Sequence, residues 1–228
     1  MVILAYSTIS DRLSIALFNQ REKRPFAVFQ EIVFRGHATV LVPKIQDLLR
    51  KENVTFEDIG AIAVCSGPGS FTGARIGCAA ALGFSAFREI SLLGINTFQV
   101  YAKYLFEKNE TVDHSLILLK SGHDEFCVTS LNRNLLPSPG FFEKPQCLEK
   151  EAFLQLIKKD NTPYIIGGDA FSLVEEIKET SLKYNCILEQ DIILAEWVGK
   201  AAMTLMDQHI YPPMTPLYVK PAYVKIPE

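Results

Sequence analysis

The first residues of the chain carry three apolar runs separated only by turn-length breaks. Val2–Ser7 reads VILAYS, Leu13–Phe18 reads LSIALF and Ala27–Phe34 reads AVFQEIVF. Runs this short, rich in aliphatic, β-branched and aromatic residues, are strands. The polar turn Ser10-Asp11-Arg12 and the break around Pro25 are too short for a crossover, so the strands form an antiparallel meander. The period then changes. His37–Lys51 places Leu41, Val42, Ile45, Leu48 and Leu49 at helical spacing. Pro43 is tolerated only in the first turns, which puts the helix start near Ala38. Ala61–Cys65 is a buried strand, Phe71–Arg88 a helix, Leu92–Ile95 a strand and Thr97–Phe106 a helix.

The first half thus reads β-β-β-α-β-α-β-α. Strand–helix alternation alone also fits a doubly wound sheet. The opening meander favours an RNase H-like α/β fold, the repeating unit of actin-like and sugar-kinase-like ATPases. The second half is less regular. Ser115–Lys120 and Glu125–Leu131 are two strands around the turn Ser121-Gly122-His123-Asp124. Leu148–Lys158 is a helix, Pro163–Ile166 a strand ending in Gly167-Gly168-Asp169, and Ala170–Thr180 a helix. Asp191–Gln208 is a long amphipathic helix holding the only tryptophan, Trp197. The tail YPPMTPLYVKPAYVKIP has too many prolines for a helix or interior strand and reads as an extended surface arm. No sequence repeat is visible. The polar stretch Lys108–Thr111 breaks the pattern and is the expected division between two units.

Composition narrows the function classes. The chain has 228 residues and a formal net charge of -3, with no basic cluster to grip nucleic acid unaided. Cys65, Cys78, Cys127, Cys147 and Cys186 are odd in number and contain no C-x-x-C pair, so they read as reduced thiols. MVILAYSTIS has neither a basic leader nor a long apolar core and reads as a strand, not a signal peptide. No run approaches the roughly 18 apolar residues of a membrane span. Together these place the protein in the cytoplasm.

The stretch SGPGSFTGARIG, Ser66–Gly77, joins a strand to a helix. Glycines flanking Pro68 allow a sharp turn, and Ser70 or Thr72 can cap the helix. Free N–H groups at such a turn favour an anion. Gly67, Gly69, Ser70, Thr72 and Gly73 are therefore candidate phosphate contacts, and an ordinary tight turn explains them equally well. The loop lacks the lysine of a Walker A motif, and GSFTG is not a G-x-S-x-G elbow. His37, His114, His123 and His209 stand in no catalytic motif. In the following helix Gly73, Gly77, Ala81 and Ser85 recur every four residues and share a face. Glycine inside a helix costs about 0.5–1 kcal/mol relative to alanine, so a bare face needs a close neighbour. Ile76, Ala80, Phe84 and Phe87 on the opposite side suffice for a core. The bare face is read as an intermolecular surface, although the protein's own sheet is the alternative.

At GPGSFTGARIG the chain resembles the bacterial tRNA threonylcarbamoyladenosine biosynthesis proteins of the TsaB (YeaZ) family. MVILAYST is similar to that family's opening strand, LSIALF to its second, and Gly36-His37 through Pro43 to its H-x-x-x-L-x-P helix start. Leu92–Thr97 resembles its G-V-x-T-L segment. Pro216-Leu217-Tyr218-Val219 resembles its terminal P-x-Y-x-R, with Lys220 for arginine. The likeness is strong over 1–107, weak over 108–190 and visible again in the tail. It implies an actin-like, two-lobed fold with 1–108 plus about 191–228 in one lobe and 109–190 in a smaller one. It also implies a non-catalytic partner of the catalytic paralogue TsaD, which transfers threonylcarbamoyl to N6 of adenosine 37 in tRNAs reading codons that begin with A. A small ATPase, TsaE, joins them, and the subunit pairs with itself when TsaD is absent. Transfer RNA is met only indirectly.

The resemblance places contact with the paralogue on the two helices His37–Lys51 and Phe71–Arg88, through Leu41, Ile45, Gly73, Gly77, Ala81 and Ser85. The paralogue holds a metal with H-x-x-x-H on the helix where this chain has Asn96-Thr97-Phe98-Gln99-Val100-Tyr101, so no metal is expected here. The family's first strand, ILAIDTS, carries an aspartate where this chain has Ser7, a poor ligand for a hard cation. No cofactor of its own is implied, only a nucleotide held mainly by a partner. The rival readings are a free-standing actin-like ATPase or sugar kinase, which needs Gly167-Gly168-Asp169 as a second phosphate loop, and a peptidase, for which no H-E-x-x-H or triad is present.

Overall fold

The computed structural model describes residues 1–34, 36–121, 124–135, 145–159, 162–180, 185–186 and 192–219. The three opening runs form β1 (Val2–Ser7), β2 (Arg12–Asn19) and β3 (Pro25–Ile32), paired antiparallel as expected. After them come α1 (His37–Lys51), β4 (Ile59–Gly67), α2 (Phe71–Ser85), β5 (Ser91–Asn96) and α3 (Thr97–Lys108). β4 pairs parallel with β1, and β5 parallel with β4. The sheet order is β3-β2-β1-β4-β5.

The second half repeats this plan. It comprises β6 (His114–Lys120), β7 (Glu125–Asn132), β8 (Gln146–Glu149), α4 (Lys150–Lys159), β9 (Tyr164–Gly168), α5 (Val174–Thr180), β10 (Asn185–Cys186) and α6 (Leu194–Asp207). Its sheet reads β8-β7-β6-β9-β10, strand for strand the order of the first. Again a meander is extended by two parallel strands on the far side of its first strand. The architecture is the actin-like one, two RNase H-like halves. β8 and β10 were hidden in the sequence because they are short edge strands without an apolar run. The expected helix Leu148–Lys158 consequently starts later, at Lys150. Of the expected turn 121–124, residues Gly122 and His123 lie outside the described residues, as does Asp191 at the expected start of the last helix.

Alternate residues of each strand face opposite layers. Leu4, Tyr6, Leu13, Ile15 and Leu17 pack under Leu41, Ile45, Leu48 and Leu49 of α1 and Cys78 and Ala81 of α2. On the other face Ile3, Ala5, Ala16 and Phe18 pack chiefly under α6, while α3 lies on Ile117, Leu119 and Ile165 of the second sheet. The outer face of that sheet carries Leu116, Leu118, Phe126 and Ile166 against Phe153 and Ile157 of α4 and Ile177 of α5. The layers run helices, sheet, helices, sheet, helices. α3 and α6, the last helix of each unit, share the middle layer. Residues from Thr97 to Phe106 of α3 are therefore buried on nearly all sides, with Lys103 half-buried.

Two expectations are corrected here. The tail is extended but is no free arm. Gly94 N–H donates to the Pro212 carbonyl at 3.2 Å, Leu217 N–H donates to that of Ser66 at 2.8 Å, and Met214 is buried. The segment crosses the ends of β4 and β5. Lys220 lies outside the described residues. Nor are all the cysteines thiols. Cys127 and Cys147 stand opposite each other in the β7–β8 ladder and are joined as a disulfide. Their separation of 20 residues gives no hint of this until the edge strand is seen. Cys65 and Cys78 are free and buried, and the side chain of Cys186 lies outside the described residues. Closing a loop of this size is worth about 3 kcal/mol. Cys147→Ser should therefore lower stability by about that amount in urea titrations without reductant, and by much less when both proteins are reduced. Equal stability of the two proteins without reductant would show that the cross-link does not form.

Candidate functional site

Beyond β4 the chain passes through the glycine loop into α2, and the loop is packed from several sides. Gly67 has φ 111°, and a Cβ there would lie 2.5 Å from the Leu217 carbonyl oxygen. At Gly73 a Cβ would lie 1.9 Å from the Thr8 carbonyl oxygen. Both glycines thus serve close contacts within the chain, with the tail and with the end of β1. The Ser70 hydroxyl accepts from Gly73 N–H at 3.1 Å, so Ser70 is the cap. Gly69, Ser70 and Thr72 face solvent. Beside them Phe71 stacks on Tyr218 at 4.4 Å, Arg75 lies 3.9 Å over the Phe71 ring, and Arg75 Nε donates to Tyr218 Oη at 2.9 Å.

The bare face of α2 is corrected in direction. Gly73, Gly77 and Ala81 lie on the protein's own first sheet, not on a free surface. Tyr6 Oη donates to the Gly77 carbonyl at 2.8 Å, and Thr8 Oγ1 to that of Gly73 at 2.7 Å. Ala81, Leu41 and Ile45 are fully buried in that core. Ser85 is half-buried, its hydroxyl on the Leu82 carbonyl at 3.0 Å. The face expected to make the core behaves differently. Ile76, Ala80 and Phe84 are half-buried at the edge of the same core, with Phe84 4.9 Å from Phe56, while Phe87 is 95% exposed. Helical periodicity separates two faces but does not say which is inward when one is made of glycine and alanine. The surface that α2 leaves open carries Arg75, Ala79, Leu82 and Gly83, and α1 adds Pro43, Gln46, Asp47 and Arg50. It is low in relief: Leu82 is half exposed, and a Cβ at Gly83 would meet nothing within 4 Å.

A second cluster lies where β1, β4, α3 and β9 approach one another. Ser7 is fully buried beside the Cys65 thiol without forming a regular hydrogen bond. Thr97 Oγ1 is 3.4 Å from Cys65 Sγ. Burial pushes that thiol up to about 11 and the Tyr101 phenol well above its ordinary value. The carboxyl of Asp169 is pushed up to about 6 by burial, although the Lys120 N–H donates to it at 2.6 Å. At neutral pH the cluster holds a thiol, two hydroxyls, a phenol and one carboxylate. That set does not suit a hard divalent cation, which wants several anionic or carbonyl oxygens. Gly167-Gly168-Asp169 is closed by the chain itself: a Cβ at Gly168 would lie 1.9 Å from the Leu118 carbonyl oxygen.

Two outcomes test this packing. Gly73→Ala should cost at least about 3 kcal/mol, the upper end of ordinary overpacking, because the new methyl meets backbone, not a movable side chain. Thermal or urea unfolding reads it. Asp169 favours its protonated form in the folded state, so its contribution is complete below the unfolded value of about 3.9 and disappears as pH rises through about 6. Between those limits the wild type should lose about 3 kcal/mol relative to Asp169→Asn. Parallel stability–pH curves for the two proteins would refute the assignment.

The family model described as "TsaD: tRNA N6-adenosine threonylcarbamoyltransferase" matches residues 15–135. The chain is 37% identical over 109 residues to the tRNA threonylcarbamoyladenosine biosynthesis protein TsaB of Escherichia coli strain K12, covering 48% of this chain and 46% of that protein. The match thus spans about half the length of that relative. To the TsaB of Buchnera aphidicola subsp. Schizaphis graminum it is 27% identical over 185 residues, 81% of this chain and 85% of the other. The solved structure of YeaZ from Pseudomonas aeruginosa superposes with a TM-score of 0.71 at 20% identity, over 95% of this chain and 99% of that one. That last likeness is one of fold.

Proposed function

Since the chain belongs to the TsaD family of tRNA N6-adenosine threonylcarbamoyltransferases, we propose that it is a TsaB-like, non-catalytic subunit of the assembly that makes threonylcarbamoyladenosine in tRNA. The single observation that carries the non-catalytic reading is the buried cluster of Ser7, Cys65, Thr97 and Tyr101. The segment Asn96–Tyr101, where the resemblance puts the paralogue's metal-binding histidines, holds no histidine and no carboxylate, and Ser7 takes the place of an aspartate. Those replacements are neutral at physiological pH, so neither metal nor Mg²⁺-nucleotide chemistry has a foothold there.

The subunit acts by pairing. Its partner is a TsaD-like paralogue, joined by a TsaE-like ATPase, with a second copy of this chain as substitute when the paralogue is absent. Contact with tRNA runs through the paralogue. The docking surface is the outward side of the α1–α2 pair, around Leu82 and Ala79, because the residues expected for it are spent on the protein's own core. A standard interface buries about 1,200–2,000 Å² in total, which a pair of four-turn helices facing another such pair can supply. Leu82→Glu combined with Ala79→Arg should abolish co-elution with the paralogue while leaving circular dichroism unchanged. The reconstituted mixture should then lose tRNA modification, and the chain alone should make none. Co-elution at wild-type stoichiometry would refute the docking surface. Modification by the chain alone would refute the non-catalytic role.

A further inference from the structure

α3 and α6 do not close on each other along their whole length. Along α3, beside the C-terminal half of α6, lies a cavity of about 440 Å³. Small-molecule sites run from about 300 to 1,000 Å³. Its apolar wall is Phe106, Ala201 and Leu205, all buried. Most polar groups around it are committed elsewhere. Arg133 closes the end of α3, donating to the Phe106 carbonyl at 2.8 Å, to that of Val112 at 2.9 Å and to that of Asn109, and it pairs with Asp113 at 3.3 Å. Lys200 pairs with Glu107 at 2.9 Å and Glu196 at 3.0 Å and lies 3.8 Å over the Trp197 ring. The Thr204 hydroxyl donates to the Lys200 carbonyl at 3.0 Å.

Gln99 and Lys103 are different. They stand one turn apart on the side of α3 that lines the cavity. Among the described residues neither makes a hydrogen bond or ion pair. Gln99 is only 7% exposed, and the exposure it keeps includes its amide, which is open to the space before it. The acid nearest along the helix, Glu107, is held by Lys200, and Glu110 is exposed to water. The uncommitted groups are thus a cation and an amide beside an apolar wall. They lie on the opposite side of α3 from Thr97 and Tyr101, so this place is separate from the buried cluster.

We propose that the α3–α6 cleft binds a small molecule with one anionic group, a carboxylate or a phosphate, on an apolar body. Lys103 pairs with the anion and the Gln99 amide donates to it. Phe106, Ala201 and Leu205 take the body. Such a ligand touches the matching helices of both halves and ties them together. The reading does not depend on pairing with the paralogue, and the full chain alone tests it.

Calorimetric titration with octanoate, octyl phosphate, octanol and inorganic phosphate separates the components. Octanoate or octyl phosphate should bind saturably at one site per chain, and whichever binds more tightly identifies the head group. Octanol and inorganic phosphate should each bind at least about tenfold more weakly than that probe. Lys103→Gln should weaken the better probe by about tenfold or more, and Lys103→Arg should restore most of the affinity. Ala201→Phe fills the cavity and should abolish binding, with circular dichroism checking the fold. If that variant does not fold, the half-exposed Lys103 decides alone. Absence of binding by both amphiphilic anions would overturn the proposal. So would equal affinity for octanol, or an unchanged affinity in Lys103→Gln.

Discussion

Helix α2 rests on the end of β1 with no side chain of its own between them at Gly73 and Gly77. Gly73 and Gly77 bring the helix backbone against Thr8, and the hydroxyls of Tyr6 and Thr8 reach helix carbonyls across that contact. Much else follows from this approach. It sets the height of α2 above the sheet, so that α1 packs beside it through Leu41, Ile45 and Leu48. It draws the glycine loop down against Ile9, whose carbonyl accepts from Ser70 N–H at 2.7 Å. It leaves the tail to cover the loop from above, through Leu217 and Tyr218. A helix held this close by its small residues turns its larger and charged ones, Arg75 and Leu82, outward. The outward surface of α2 is a consequence of packing on the inside.

The first lobe was legible because its strands are long apolar runs and its helices have clean periodicity. The meander alone separated it from a doubly wound sheet. The second lobe was legible only in part. Its meander lacks the third run, since β8 is four residues with none of them fully buried. Without β8 and β10 the duplication of strand order does not appear, and neither does the pairing of Cys127 with Cys147. The site divided in the same way. Ser70 or Thr72 was identifiable as the cap from its place at the helix start, and Ser7 as a missing acid through the family resemblance of the first strand. The direction of the Gly73, Gly77 and Ala81 face was not identifiable. Both sides of α2 can face a core, and Thr8, the residue that decides between them, lies some 65 positions away in the chain. Lys103 and Gln99 gave no sign either. Their lack of partners becomes visible only when Arg133, Lys200 and Thr204 are seen to be occupied.

Duplication explains the distribution of chemistry. In both halves the first parallel strand after the meander ends in a glycine turn, at Gly67 after β4 and at Gly168 within β9, each with positive φ. Here each is filled by the chain's own backbone: Leu217 lies against Gly67, and Leu118 against Gly168. The actin-like architecture is duplicated, and both of these positions serve packing within the chain.

That packing also bears on where openings remain. Backbone contacts close the glycine turns, and a disulfide and an edge strand bind β7 to β8. The middle layer has no comparable device. α3 and α6 are equivalent helices brought together by the duplication. Arg133 secures the end of α3 to the second lobe, and Lys200 links α6 to α3 through Glu107. Between these two fastenings the helices stand apart, over Phe106, Ala201 and Leu205. Away from that gap the two helices do meet, with the Tyr104 ring 5.0 Å from that of Trp197. A gap between such helices is where the chain has room for something other than itself.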